Sequence, residues 1–551
     1  MRRSFVSISG SLAAPLFVLM VARLAPAGEL SRGDKLRALY SNQFAFDRRG
    51  IPIISIAIAE GLDLATIEAT VPPRLLPDGE DGPEVVGGTT WEVHLEHATR
   101  AELEHFAVLG SRAVAQSADL PALFSGARQR GLQPRLIEIG TVFGVKGHVF
   151  DNRAFLLGDG PWPTAEAAQQ RARALAPAAS GEQATVVSQL RQRPSALLEA
   201  VDPRSGARVR AIDALWFAPA TPDGQLSLRL RAGGPSHAYW GQVYVTVDRT
   251  SRLVVVNAVP ADKLLAGLVP AEIFPSAPPA ALAAQAIAAR GDLLAKIGTR
   301  HLTDPYRICS WQHCQVYRGV GSEQPGTTAA VAATRGLVLT RRGGGLVTAL
   351  YSAHCGGHGE DNDAVWPAAP DSALRGRLDG GDATDQRRFG QGMTEQTIED
   401  WLQHRPQSWC ARSGMNRDKL RWRFELSPQR VQRLLQPLGI GGLRGAIVLR
   451  RGRSGRVILL RLEGTSGTRE VKGELVIRRL FGGLPSSMFV AHPLRDARGQ
   501  LLPGGLEIIG GGWGHGVGMC QTGAIGMAQA GRTFEQILQH YYPDTELRRA
   551  Y

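Results

Sequence analysis

Residues 253–290 decide the reading of the fold: Leu253-Val254-Val255-Val256-Asn257-Ala258-Val259-Pro260, then Leu264-Leu265-Ala266-Gly267-Leu268-Val269-Pro270-Ala271-Glu272-Ile273-Phe274-Pro275, then Ala280-Ala281-Leu282-Ala283-Ala284-Gln285-Ala286-Ile287-Ala288-Ala289-Arg290. The first stretch is β-branched and apolar, as a buried strand is. The third is alanine-rich with Pro278 and Pro279 where a first helical turn tolerates them, which predicts a buried helix. Strand and helix side by side indicate an α+β chain. Glu272 is the only acid between Asp262 and Asp292 and is flanked by Val269, Ile273 and Phe274. A carboxyl group there is partly desolvated and holds its proton at higher pH, as a general acid must. The competing reading is a surface glutamate near a helix start, where acids complement the helix dipole.

Outward from this segment the chain divides. Toward the N-terminus, strand signals recur in Arg208 to Phe217, Leu226 to Leu230 and Tyr239 to Val247, after a break at Gln192-Arg193-Pro194. From Trp91 the order reads strand (91–97), helix (100–116), strand (136–142), strand (148–157), helix (164–175), strand (185–190), which is a split βαββαβ unit. Its element order resembles the SPOR-type modules that bind glycan strands stripped of peptides, and a generic ferredoxin-like scaffold has the same order. Toward the C-terminus, strands at 337–340, 346–352, 446–449 and 457–462 alternate with glycine-rich turns, with isolated helices near 395–404, 428–436 and 534–541. The expected division is 1–27 leader, 28–88 β-rich segment, 89–192 βαββαβ module, and 205–551 a mainly β, glycine-rich domain with a few helices.

Arg2 and Arg3, an apolar stretch from Leu12 to Ala22, and Ala25-Pro26-Ala27 follow the order of a secretory signal. Export to the periplasm or cell envelope is expected, with membrane attachment only if the leader is retained. The chain has 551 residues, 63 Lys+Arg against 50 Asp+Glu, and 43% hydrophobic residues, which excludes wholesale disorder and fibrous repeats. The excess of positive charge suits an anionic polymer. Nucleic acid is not the expected partner, since the arginines are dispersed and export removes the protein from DNA.

Two further stretches carry chemistry. Tyr351-Ser352-Ala353-His354-Cys355-Gly356-Gly357-His358-Gly359-Glu360 gathers two histidines, a cysteine and a carboxylate that offer metal-ligand chemistry, but their spacing fits no zinc motif well, and Gly356-Gly357 more simply marks a sharp turn after a strand. Gly510-Gly511-Gly512-Trp513-Gly514-His515-Gly516-Val517-Gly518-Met519-Cys520-Gln521 lacks the Lys-Ser/Thr of a phosphate loop. An aromatic face on permissive backbone suits a polymer groove, and a purely structural turn is the other reading.

Together these residues resemble the SpoIID/LytB family, the sporulation stage II protein D and amidase-enhancer group of cell-wall proteins. The resemblance runs from about Ala238 to Tyr542. It rests on the Val-Val-Asn-Ala-Val-Pro lead-in, Val269-Pro270-Ala271-Glu272, the helix ending in Arg290, Cys314-Gln315-Val316-Tyr317-Arg318-Gly319, Thr334-Arg335-Gly336, Cys355-Gly356-Gly357, Ser454-Gly455-Arg456-Val457, Leu484-Pro485-Ser486-Ser487, Trp513 to Gln521, and Tyr541-Tyr542-Pro543. It implies a lytic transglycosylase acting on peptidoglycan glycan strands, with Glu272 as catalytic acid and Arg290 as its nearby arginine. The other activity the family implies is a wall-binding protein that recruits or enhances an amidase. Gly291-Asp292 stands where Thr-Tyr is usual, and Cys520 where Ser is common. Tyr351, Ser352, Trp513, His515 and Gln521 are the expected sugar-contacting residues. No cofactor is expected in catalysis. The resemblance implies a structural zinc at His301, Cys309, His313 and Cys314, against which stands a Cys309–Cys314 or Cys355–Cys410 disulfide.

Overall fold

The computed structural model describes residues 39–551 apart from 42, 78–82, 114–117, 146–147, 176–184, 222, 231–233, 312, 343, 367 and 405. The expected leader at 1–27 lies outside the described residues. Among those described, no helix is long and apolar enough to cross a membrane.

The run 253–260 is a strand, Leu253–Pro260, buried along its length except at the last residue. It lies at the centre of an eight-stranded sheet between Pro52–Leu62 and Gln242–Val247, continued by Ala214–Ala218, Arg74–Leu76 and Val85–Val86. A strand covered on both faces has no reason to alternate, which explains its unbroken apolar run. The partner Pro52–Leu62 comes from the segment 28–88, so that segment is built into the same sheet as residues 205–260. Ile308–Cys309 adds a short parallel strand beside it.

The expected alanine-rich helix is Pro279–Lys296, with residues 281–295 all buried. A helix that is mostly alanine and leucine on every face belongs inside the protein, and small side chains let neighbours approach from every side. Those neighbours are the helices Ala261–Glu272, Pro325–Ala333, Gln521–Gln529 and Phe534–Tyr541 and the strand Leu337–Arg341. The second half is thus mixed α+β around a helical centre, with more helix than the expected isolated elements. Beyond it, two three-stranded sheets (Trp422–Leu426, Leu501–Gly510, Phe489–Arg495; and Leu443–Arg451, Val457–Gly464, Gly467–Lys472) enclose a separate core that includes Leu460, Phe481 and Ile508.

The expected βαββαβ unit is met only in part: the described elements start one strand later, and a hairpin of Val142–Val145 with His148–Asp151 stands between its two middle strands. The segment expected as a helix at 100–116 is the strand Glu102–Ala113, and the helix that follows is Leu120–Gln129. The sheet runs Val186–Gln192, Glu102–Ala113, Ala154–Trp162, Pro134–Ile139, with every neighbour antiparallel. Leu103, Phe106 and Leu109 recur at a helical spacing, but Phe106 is buried against Ile137 and Val187 from other strands of this sheet. Tertiary pairing overrides the local pattern. Thr90–Thr99 belongs instead with Ala65–Glu68 and Ser195–Val201.

Candidate functional site

Glu272 ends the helix Ala261–Glu272, an element the sequence pattern did not announce. Pro270 sits inside its last turn, Ile273 is extended, and Pro275 follows, so the chain stops sharply and turns its final carboxyl group outward. The backbone carbonyl of Glu272 accepts a hydrogen bond from Gln521 Nε2 at 2.7 Å, and the same nitrogen donates to Gln285 Oε1 at 3.2 Å. Gln521 therefore joins three helices beneath the acid, and its amide nitrogen is committed to protein rather than to a sugar hydroxyl.

Glu272 lines an open cleft of about 280 Å³ with Phe274, Asn416, Lys419, Thr522 and Ile525 among its walls. Among the described residues lining it, no other is acidic. Burial, and then the charge of Asp292, push the Glu272 carboxyl above its ordinary pKa, while Lys296 pulls the other way.

Asp292 was missed as a site residue. It is 3% exposed, its Oδ2 accepts from Lys296 Nζ and from Gln315 Nε2 at 2.9 Å, and its Oδ1 has no hydrogen-bond partner among the described residues. Gln315 Nε2 also donates to the Tyr351 hydroxyl oxygen at 3.2 Å. Burial and the nearby charges of Glu272 and Asp292 raise the Tyr351 pKa well above its ordinary value, so the phenol stays protonated. The signal for Asp292 was there: an acid where the family carries a tyrosine, one helical turn from Lys296.

Arg290 does not join this group. Its side chain is fully buried, and its guanidinium donates to the Tyr551 hydroxyl, Leu337 O and Val331 O at 3.0–3.3 Å, with Asp262 Oδ1 at 3.5 Å. Tyr551 in turn donates to Asp262 at 2.9 Å. With its fork satisfied by the C-terminal segment and a helix end, Arg290 is a packing anchor rather than a holder of the Glu272 carboxylate.

The glycine-rich turn reaches the site through a parallel pair, Tyr351–Ser352 with Met519–Cys520. Gly516 and Gly518 have positive φ, and a Cβ there would strike the Arg456 guanidinium at 2.5 Å or Leu350 O at 2.0 Å. The turn is therefore wound around Arg456, itself buried and donating to Gly514 O, Cys355 O and Ser454 Oγ. Trp513 remains 43% exposed, and Lys419 Nζ lies 4.7 Å over its ring, linking it to the cleft wall. His515 Nδ1 accepts from the Val517 N–H at 3.0 Å. Burial, reinforced by Arg456 and Arg478, pushes its pKa down to about 3, so it is neutral and no proton donor at neutral pH. Ser352 is buried with its Oγ unpartnered among the described residues, and it does not line the cleft.

The cysteine-histidine stretch converges. Donor atoms of His301, Cys309, His313 and Cys314 lie within 4.8 Å of one another. His301 Nε2 is 3.3 Å from Cys314 Sγ, and both sulfurs are 3.6 Å from His313 Nδ1. The second nitrogen of His301 meets Asp304 at 2.9 Å, the carboxylate-histidine arrangement that orients a metal-binding ring. Two sulfurs and two imidazoles are a donor set suited to tetrahedral zinc. Lys296 Nζ donates to Cys314 O at 3.0 Å, so this loop abuts the Asp292 group.

The family model described as Stage II sporulation protein matches residues 249–341, which include Glu272, Arg290 and the cysteine-histidine set, and a domain of unknown function (DUF8618) matches 360–518. An uncharacterized protein of Brachyspira hyodysenteriae is 25% identical over 309 residues, covering 56% of this chain and 72% of that protein. The amidase enhancer of Bacillus subtilis is 26% identical over 314 residues, covering 51% of this chain and 40% of the enhancer. On these matches, residues 249–341 carry a SpoIID-type domain and the chain is similar to an amidase enhancer over about half its length, which supports a cell-wall related role.

Proposed function

We propose that this protein is an exported lytic transglycosylase that cleaves MurNAc–GlcNAc bonds in peptide-denuded peptidoglycan strands. The observation that carries the reading is a lone carboxyl group in an open cleft, with its pKa raised. Ordinary glycosidases use two carboxylates flanking the bond. Here the second acid, Asp292, is buried, held by Lys296 and Gln315, and absent from the cleft wall. A reaction whose nucleophile is the substrate's own C6 hydroxyl needs one carboxyl group only.

In that reaction Glu272 donates its proton to the glycosidic oxygen as the C1–O bond breaks. The C6 oxygen bonds to C1, and the Glu272 carboxylate takes the C6 hydroxyl proton, closing a 1,6-anhydro ring and restoring the acid. Phe274 and Trp513, both exposed, supply aromatic faces for sugar rings, and Lys419 supplies positive charge for the lactyl carboxylate. Zinc at His301, Cys309, His313 and Cys314 would be structural, bracing the loop that carries Gln315 and contacts Lys296.

The test is digestion of denuded glycan strands with mass spectrometry for anhydro ends. Glu272→Gln keeps size and removes the acid, and it is expected to lower product formation by about 10²–10⁴-fold, the usual contribution of a general acid. Full activity in a folded Glu272→Gln protein removes the proposal. The enhancer among the relatives favours a second reading, recruitment or stimulation of a wall amidase. Under it, Glu272→Gln stimulates the amidase as well as the unsubstituted protein does, and no anhydro ends form with either.

A further inference from the structure

Three cysteines and one aspartate meet in the interior, and the glycan site uses none of them. Cys355 follows the strand Tyr351–Ser352, Cys410 lies in the short helix Trp409–Arg412, Cys520 caps the helix Gln521–Gln529, and Asp379 comes from a loop. Each is at most 2% exposed, and their donor atoms all lie within 4.8 Å of one another.

The distances favour a bridging ion over a covalent bond. Cys355 Sγ and Cys410 Sγ are 3.6 Å apart. A disulfide requires about 2.05 Å, whereas two thiolates on tetrahedral zinc, each about 2.3 Å from the metal, stand about 3.8 Å apart. A disulfide would also leave a third thiol stranded in the same buried space. The surroundings orient donors as outer partners of a metal do. Cys520 Sγ accepts the N–H of Cys355 at 3.2 Å and of Gly523 at 3.3 Å, at the positive end of its helix. Asp379 Oδ2 accepts from the Cys410 N–H at 2.9 Å, and Oδ1 from the Tyr541 hydroxyl at 2.6 Å, with His540 Nε2 at 3.6 Å.

We propose that Cys355, Cys410, Cys520 and Asp379 form a second zinc site, separate from the His301–Cys314 set. Binding exchanges three thiol protons for one divalent ion, with no change of oxidation state. The ion ties together the strand pair under the glycine-rich turn, the helix whose first residue is Gln521, and the segment leading from Cys410 to Asn416 and Lys419. Its role is to brace one wall of the cleft.

The experiment is metal content per chain, by elemental mass spectrometry, of full-length protein carrying Cys309→Ser and Cys314→Ser. One zinc ion is expected to remain, and adding Cys520→Ser is expected to remove it. A folded Cys309→Ser/Cys314→Ser protein without zinc overturns the proposal, as does a Cys355–Cys410 disulfide in a non-reduced digest of the unsubstituted protein. Anomalous scattering at the zinc edge, from crystals of unsubstituted protein prepared with zinc, asks the same question without a variant. A peak among the four donors supports the site, and ordered side chains without a peak overturn it.

Discussion

Glu272 and Arg290 lie on consecutive helices, and the family resemblance marks both, yet the protein treats them oppositely. Glu272 ends its helix at an open cleft with a carboxyl group that, among the described residues, no side chain neutralises by direct pairing. Arg290 stands mid-helix with every direction of its fork occupied by protein. An ionisable group left short of partners beside solvent is available for chemistry, and one fully partnered in the interior is available only for stability.

The contrast breaks most severely if Arg290 proves catalytic. Arg290→Ala leaves three acceptors and the Asp262 pair uncompensated, so a loss of about 3–5 kcal/mol of folding stability is expected, with activity per folded molecule retained. Denaturant unfolding together with the glycan assay reads both quantities. A stable but inactive Arg290→Ala protein would return this residue to the reaction.

A smaller effect sharpens the role of Asp292. Glu272 must be protonated to act first as an acid, so kcat/KM falls as pH rises through its pKa. Burial raises that pKa most, the charge of Asp292 raises it further and Lys296 lowers it, and Tyr351 stands beside them as a neutral phenol. Asp292→Asn removes the repulsion and frees Lys296, so the alkaline limb should move to lower pH. An unmoved limb would make Asp292 a packing residue only.

The same raised pKa sets a sign for stability. Ionising Glu272 costs more in the folded than in the unfolded chain, so destabilisation develops as pH rises from the ordinary carboxyl range through the folded pKa. Glu272→Gln should therefore melt higher than the unsubstituted protein at pH 7, with the gap closing in acid. The smallest expected effect is at Lys419. Lys419→Ala removes a cation lying over Trp513 and should raise KM a few-fold, on the order of 1 kcal/mol, with little change in kcat.

Much of this was legible in the chain. The apolar run 253–260 and the alanine-rich helix could be read from composition alone, because a buried element is mostly apolar and its few polar residues must find partners inside. Glu272 stood out as an isolated acid among apolar neighbours. The helix that carries it was hidden by Gly267 and Pro270, which local rules read as breaks but which the surrounding helices accommodate. Strand Glu102–Ala113 was hidden by a helical spacing that only its sheet partners overrule. Asn416 and Lys419 carry no local signal, since they reach the cleft through a short segment placed by contacts distant in sequence. The burial of Arg290 away from the cleft was not legible, because a motif names a residue without naming what satisfies it.

The pairing of Pro52–Leu62 with Leu253–Pro260 joins segments far apart in the chain. Closing so long a loop adds only about 0.6 kcal/mol per doubling of its length, so the penalty falls on the rate of folding more than on the final stability. Ile53 already has a near partner in Ala45, so the side of this strand expected to wait during folding is the one that Leu253–Pro260 later covers. That waiting edge is where a nascent chain is most open to pairing with a second copy of itself.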